Sequence, residues 1–184
     1  MEKGFYRTTF MIGLGFFTMG LMDPLYDNYV PVFLNGFVAS RALIGALMTI
    51  DNIMALLLIP LVTAWSDNAR TPIGRRMPFI TVLLPLSAIT FALLPYAGGA
   101  TLGIFIIALV GFNLFKQSAR GPVVALMPDT ISNENRSEAN GVINMMGGIA
   151  AVVGTVVLAP MMDLRLSLPL LGDTSRRLPC IIAA

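Results

Sequence analysis

The chain has 184 residues, of which 56% are hydrophobic and 12% are charged, and its mean hydropathy is +0.79. These values exclude an ordinary soluble domain. A net charge of +2 is too small to indicate a nucleic-acid partner, and one cysteine with no histidine excludes an intrachain disulfide and a His/Cys metal cluster, so we expect no metal and no cofactor.

Apolar runs of about 20 residues recur along the sequence, which is the length of a helix that crosses a bilayer. Barrel strands would instead show strict alternation over about ten residues, and the runs lack it. The pattern predicts an all-α membrane fold with about five transmembrane helices and the start of a sixth. The predicted spans are about 10–34, 43–65, 78–96, 102–127 and 140–162.

A further apolar stretch, LPCIIAA, begins at about residue 178 and is too short to cross a membrane. We therefore expect a truncated sixth span, and a chain that is a fragment of a longer protein. A natural five-span product is the alternative.

The distribution of lysine and arginine predicts the orientation, because cytoplasmic loops are enriched in both. Arg41 lies on the side of the membrane opposite the N-terminus, as do Arg165, Arg176 and Arg177 after span 5. We expect the N-terminus and the two longer loops to lie in the cytoplasm, and the chain to lie in the cell membrane. The basic residues on that predicted cytoplasmic side are Lys3, Arg7, Arg70, Arg75, Arg76, Arg120 and Arg136.

The stretch SDNARTPIGRRMPFI, residues 66–80, is the most polar segment between two long apolar runs. Asp67 ends span 2 and can pair with arginine, while Gly74 allows a sharp turn just before Arg75 and Arg76. These features predict a tight, charge-latched hairpin. The alternative is a simple basic anchor on the cytoplasmic side.

AWSDNARTPIGRRMPFI resembles the cytoplasmic loop between helices two and three of the major facilitator superfamily. Its lengthened form is similar to that of the sucrose/proton symporters and the wider glycoside–pentoside–hexuronide:cation symporters. LIGALMTIDNIMALLLIPLVTAWSD is similar to helix two of that family, and GPVVALMPDTISNENRSEANGVINMMGGIAAVVG to the end of helix four through helix five. Ala64 departs from the glycine that usually opens the motif.

The resemblance implies twelve helices in two halves, of which this chain would be the N-terminal half, with the C-terminal half as its missing partner. By motif match, it gives Asp67, Gly74, Arg75 and Arg76 a role in a cytoplasmic gate. From their positions, we add Arg136 in the next loop and Asn140 in span 5 to this predicted gate.

Ionisable residues within spans are costly and therefore indicate function. Asp23 and Asp27 share one face of span 1, Asp51 lies in span 2, and Asn113 and Lys116 lie on a polar stripe of span 4. Their depths predict a central site in which Asn113 and Lys116 face Asp23, with Asp27 and Asp51 nearer the outside. The alternative is a set of buried structural pairs and vestibule residues.

Carboxylates can carry a proton or sodium, and amides suit hydroxyl-rich solutes. We expect a secondary active transporter that couples symport of a sugar, such as a disaccharide, to a cation by alternating access. Its partners would be the sugar, a proton or sodium, and the lipid bilayer.

A non-transporting structural or sensor protein is one rival interpretation, and an intramembrane enzyme is another. Tyr26–Asp27 and Gly172–Asp173 faintly resemble the motifs of intramembrane aspartyl proteases. However, Leu170 stands where that motif requires glycine. The sequence therefore favours a protein that is not an enzyme.

Overall fold

The structure of the chain, a computed structural model, describes residues 3–163, 167–168, 172–173 and 177–184. Within these ranges, five helices are long and apolar enough to cross a membrane, which confirms the predicted all-α membrane fold. The helices are α1 (Lys3–Asn35), α2 (Arg41–Asn68), α3 (Met77–Ala97), α4 (Leu102–Thr130), α5 (Arg136–Val152) and α6 (Leu178–Ala183).

The connections between helices differ in length and define the two ends of the bundle. The α1–α2 and α3–α4 connections are tight. The helices that follow are capped by Ser40 and Thr101, whose hydroxyls accept from the backbone N–H groups of Leu43 and Ile104 at 3.5 Å. We call this the short-loop end. The α2–α3 and α4–α5 connections lie at the opposite, long-loop end, where a 3-10 turn, Asn133–Asn135, precedes α5.

The fifth span is not a regular helix. A π-helical turn, Val153–Leu158, follows α5, and a 3-10 turn, Pro160–Asp163, comes next. The π-helical turn packs closely on α1: a Cβ atom at Gly154 would lie 3.0 Å from the Leu21 carbonyl oxygen. The Tyr29 hydroxyl also donates to the Leu158 carbonyl at 3.4 Å. The irregular segment is therefore held against the half of α1 that is nearer the short-loop end.

Helix α6 is short and packs against α1 and α3. Before it, Ser167–Leu168 (β1) and Gly172–Asp173 (β2) form an antiparallel pair. Leu170, Arg165 and Arg176, and the side chain of Asp173, lie outside the described residues, so the expectations that involve them have no structural account here.

Helix α4 lies at the centre of the bundle, packed against both α2 and α3, while α1 packs mainly on α5. Leu109 and Phe112 of α4 are fully buried, together with Leu25 and Leu34 of α1. Helix α2 instead exposes apolar side chains, with Leu56 at 76% exposed. In a bilayer such a surface contacts lipid or another apolar helix.

Candidate functional site

An ion pair between α4 and α1 lies at the middle of the bundle. The Lys116 ammonium contacts the Asp23 carboxylate, and the lysine side chain is only 4% exposed whereas that of Asp23 is 40% exposed. An isolated lysine at the centre of a membrane helix costs about 2.5–3.5 kcal/mol on insertion scales. The pair lowers this cost, and it leaves the Asp23 carboxylate accessible from a neighbouring cavity.

Aromatic rings complete the surroundings of this lysine. The Lys116 ammonium lies 5.2 Å from the centroid of the Tyr26 ring and 5.4 Å from that of Phe112. Cation–π attraction of this kind strengthens when the cation is desolvated. The Asn113 Nδ2 group donates to the Tyr26 hydroxyl at 3.0 Å, so that α1 and α4 are also joined by a buried hydrogen bond.

A second polar contact joins α4 to α2. The Gln117 Nε2 group donates to the Asp51 carboxylate, one helical position beyond Lys116. Gln117 is 1% exposed, whereas Asp51 is partly exposed and lines the same cavity as Asp23. The polar stripe of α4 therefore has one acidic partner on α1 and another on α2.

These side chains surround an open cavity of about 430 Å3 between α1, α2 and α4. Asp27 and Arg120 are both exposed in its wall, and neither makes an ion pair with another described residue. The same two residues, together with Asp23, also line a neighbouring groove of about 500 Å3 that α5 closes with Asn144. The cavity thus offers carboxylates, a cation and amides to a polar solute.

A separate charged cluster lies at the long-loop end and is centred on Arg76. Its guanidinium contacts the Asp67 carboxylate at 2.7 Å, the Asp129 carboxylate at 2.6 Å and the Ser66 hydroxyl at 3.3 Å. Arg76 is 7% exposed, whereas the side chains of its partners Asp67 and Asp129 are 46% and 29% exposed. A planar guanidinium can serve several acceptors at once, which suits it to joining α2, the loop and α4.

The turn before this arginine depends on Gly74, whose φ of 105° is strained for any residue with a side chain. The Gly74 N–H donates to the Thr71 carbonyl at 3.1 Å, and the Thr71 hydroxyl donates to the Gly74 carbonyl at 2.5 Å. Arg75 follows, half-exposed, and its guanidinium reaches Asp129 at 3.2 Å. The predicted hairpin is thus tight, and both of its arginines point to the end of α4.

The remaining predicted gate residues lie apart from this cluster. Arg136 donates to the backbone carbonyls of Pro128 at 2.6 Å and Ile131 at 3.2 Å, where it caps the end of α4. Asn140 is exposed, and its side-chain oxygen accepts from Asn144 at 2.8 Å. The structure therefore brings together Asp67, Arg75 and Arg76, but it gives Arg136 and Asn140 other partners.

Tyr26, Gln117, Ser66 and Asp129 are among the residues of these two sites that sequence reasoning did not select. Gln117 follows Lys116 in the polar stripe of α4, and Asp129 lies just beyond the predicted fourth span. Tyr26 and Ser66 carry no such signal, because their roles depend on neighbours that only the folded chain supplies. Asn113, by contrast, was selected, and it contacts Tyr26 rather than a carboxylate.

A bundle of membrane-length helices around a charged central cavity defines a polytopic membrane protein. The family described as Major Facilitator Superfamily matches residues 8–168, and the chain belongs to that superfamily. This is a family of transporters rather than of enzymes. Neither the curated proteins nor the solved structures include a match to the chain.

Proposed function

We propose that the chain forms part of a secondary active transporter that carries a sugar, such as a disaccharide, together with a proton by alternating access. Membership of the superfamily supports the transporter class. The observation that carries the proposal is the open cavity that Asp23, Asp27 and Asp51 share with Lys116. Intramembrane carboxylates beside a paired lysine are suited to taking up and releasing a cation.

The walls of the cavity also suit a hydroxyl-rich solute. Carboxylates accept hydrogen bonds from hydroxyl groups, while Arg120 and the amide of Asn52 can donate them. Each sugar hydroxyl both donates and accepts, so a mixed wall of this kind can satisfy it.

Enclosure of the solute requires a second bundle over the open side of the cavity. Asp27, Asn52 and Arg120 are exposed there, and a charged group that faces lipid is unfavourable. We propose that the other half of a longer chain, or a second copy, covers this side. The Arg76 cluster would then act as a gate at the long-loop end, which we place in the cytoplasm of a cell with this chain in its plasma or inner membrane.

Uptake of labelled mono- and disaccharides into membrane vesicles of the source organism tests the proposal, because any partner bundle is then present. An imposed proton gradient should drive accumulation that vesicles lacking the chain do not show. Asp51→Asn should abolish accumulation while exchange of labelled for unlabelled sugar continues. Ile53→Ala, on the exposed face of the same helix, is the matched control and should accumulate sugar normally.

Accumulation driven by a sodium gradient alone would show that the coupled cation is sodium rather than a proton. If no tested sugar is accumulated while another solute is, the proposal that the substrate is a sugar is rejected. Normal accumulation in the Asp51→Asn variant would remove Asp51 from the coupling.

A further inference from the structure

Gln117 is buried more completely than the function of a solute-binding amide would require. It is 1% exposed, and its Nε2 group donates to the Asp51 carboxylate. Its Oε1 atom is also buried, and no described residue donates a hydrogen bond to it. A buried acceptor without a donor is unfavourable, so the position of this oxygen calls for a donor close by.

The protonation state of Asp51 decides whether that donor exists. An ionised carboxylate only accepts hydrogen bonds, so it can satisfy Nε2 but never Oε1. A protonated carboxyl group accepts through one oxygen and donates through the other. An amide and a carboxylic acid can therefore close a pair of hydrogen bonds, in which Nε2 donates to one Asp51 oxygen and the other donates to Oε1.

We propose that Gln117 is a positioning residue that makes Asp51 the proton-binding group of the cavity. This inference rests on the proposed proton coupling and names the partner through which it acts. The proton comes from water in the cavity, forms an O–H bond on Asp51, and returns to water when that bond breaks. Since Asp51 lines the cavity while Gln117 is buried behind it, the carboxyl group can exchange protons without moving the amide.

The other charged groups around the cavity lack this arrangement. Asp23 is paired with Lys116, so its carboxylate is satisfied in the ionised form. Among the described residues, Asp27 has no amide partner, and Gln117 donates only to Asp51. The titratable and charged groups that face Asp51 in the shared cavity are Asp23, Tyr26 and Asp27 of α1 and Lys116 and Arg120 of α4.

Protonation would also change the contact between two helices. Gln117 and Asp51 join α4 to α2 through one hydrogen bond when Asp51 is ionised and through two when it is protonated. Release of the proton leaves Oε1 without a donor, which favours the entry of water or the separation of α2 from α4. Proton binding at Asp51 is thus linked to the packing of α2 against α4, two of the helices that line the cavity.

Infrared difference spectra of the purified chain in lipid, recorded between high and low pH without sodium, test this inference. We expect a carboxylic-acid C=O stretching band that Asp51→Asn removes. In Gln117→Leu the band should move to higher frequency, because the carboxyl group has lost both hydrogen bonds. Glu134→Gln, at an exposed position outside the cavity, is the control and should leave the band in place.

The exchanged double variant, Asp51→Gln with Gln117→Asp, guards against misfolding of the single variants. It rebuilds the same pair with the acid on α4, and the hydrogen-bonded band should return. The inference is rejected if the Asp51 band has the same frequency in Gln117→Leu as in the unaltered chain, or if Asp51 gives no such band. Removal of the band by sodium at constant pH would also reject it.

The infrared spectra do not depend on solute uptake, so this inference and the proposed transport can fail separately. An intact Asp51 band without sugar uptake would therefore reject the proposed transport and leave the pair standing. Sugar uptake without the band would do the reverse.

Discussion

Lys116 shows how one buried charge depends on a single partner. Lys116→Met removes the only cation that contacts Asp23 in the described part of the chain and leaves the carboxylate within the bundle. Breaking a buried pair costs about 3–5 kcal/mol, and the 40% exposure of Asp23 should reduce the loss to about 2 kcal/mol. Denaturation in detergent measures the loss, and adding Asp23→Asn should recover most of it. Equal stability of the single and double variants would contradict the pairing.

Arg76 and Arg75 differ in burial although they are adjacent and both contact Asp129. Arg76→Ala leaves Asp67 and Asp129 without their shared partner, but these carboxylates are 46% and 29% exposed, so we expect a loss of about 1–2 kcal/mol in the free energy of unfolding. Arg75→Ala is the matched control. Its side chain is 55% exposed, and an exposed pair contributes about 0–1 kcal/mol. Denaturation curves for both variants check this, and equal losses would show that burial does not distinguish them.

Depth along a helix predicted part of the central site from the sequence. The rise per residue predicts that Asp23 and Asn113 lie at the same depth. In the structure Asp23 contacts Lys116, and Asn113 donates to the Tyr26 hydroxyl. The same arithmetic cannot give rotation about a helix axis, which decides that Gln117 contacts Asp51. It also cannot find Asp129, whose contact with Arg76 joins residues 53 positions apart. The transport roles of these residues stay predictions.

Helices α1 and α5 approach each other closely where glycine removes the side chain. A Cβ atom at Gly20 would lie 2.5 Å from the Gly147 carbonyl oxygen, a distance at which the backbones must separate. Gly20→Ala should therefore destabilise the chain by about 1–3 kcal/mol, as overpacking does. Gly141→Ala is the control, because a Cβ atom there meets nothing within 4 Å. Thermal melting in detergent should separate the two, and equal melting temperatures would contradict the close approach.

The positions of the elements were more predictable than their internal geometry. Runs of apolar residues indicate helices of membrane length, because only such helices satisfy their backbone in lipid. The sequence predicts the limits of a helix less well than its existence. Helix α1 begins at Lys3, whereas the predicted apolar span begins at about Phe10. The π-helical turn gave no signal in the sequence, because it depends on packing against Leu21 and Pro24.

At the scale of the whole molecule, the alternation of short and long connections predicts which residues share a side of the membrane. Cysteines placed at Asn68 and Asn133 should react with an impermeant reagent from the cytoplasm, and one at Ala100 only from outside. All three positions are exposed, and the buried native Cys180 is first replaced by serine. Labelling of Asn68→Cys from outside would reverse the proposed orientation, while labelling of Asn68→Cys and Ala100→Cys from one side would contradict the topology.

The π-helical turn at Val153–Leu158 makes the fifth span tolerant of a shortened sequence. Deleting one residue from a regular helix rotates everything beyond it by about 100° and turns buried side chains outward. A π-helical turn already holds one residue more than an α-helical turn, so deletion of Val156 would convert it to regular helix and keep both flanking faces in phase. We expect that deletion to preserve folding, judged by monodisperse size-exclusion profiles. Deletion of Leu56, within the continuous helix α2, should not, although its side chain is more exposed than that of Val156.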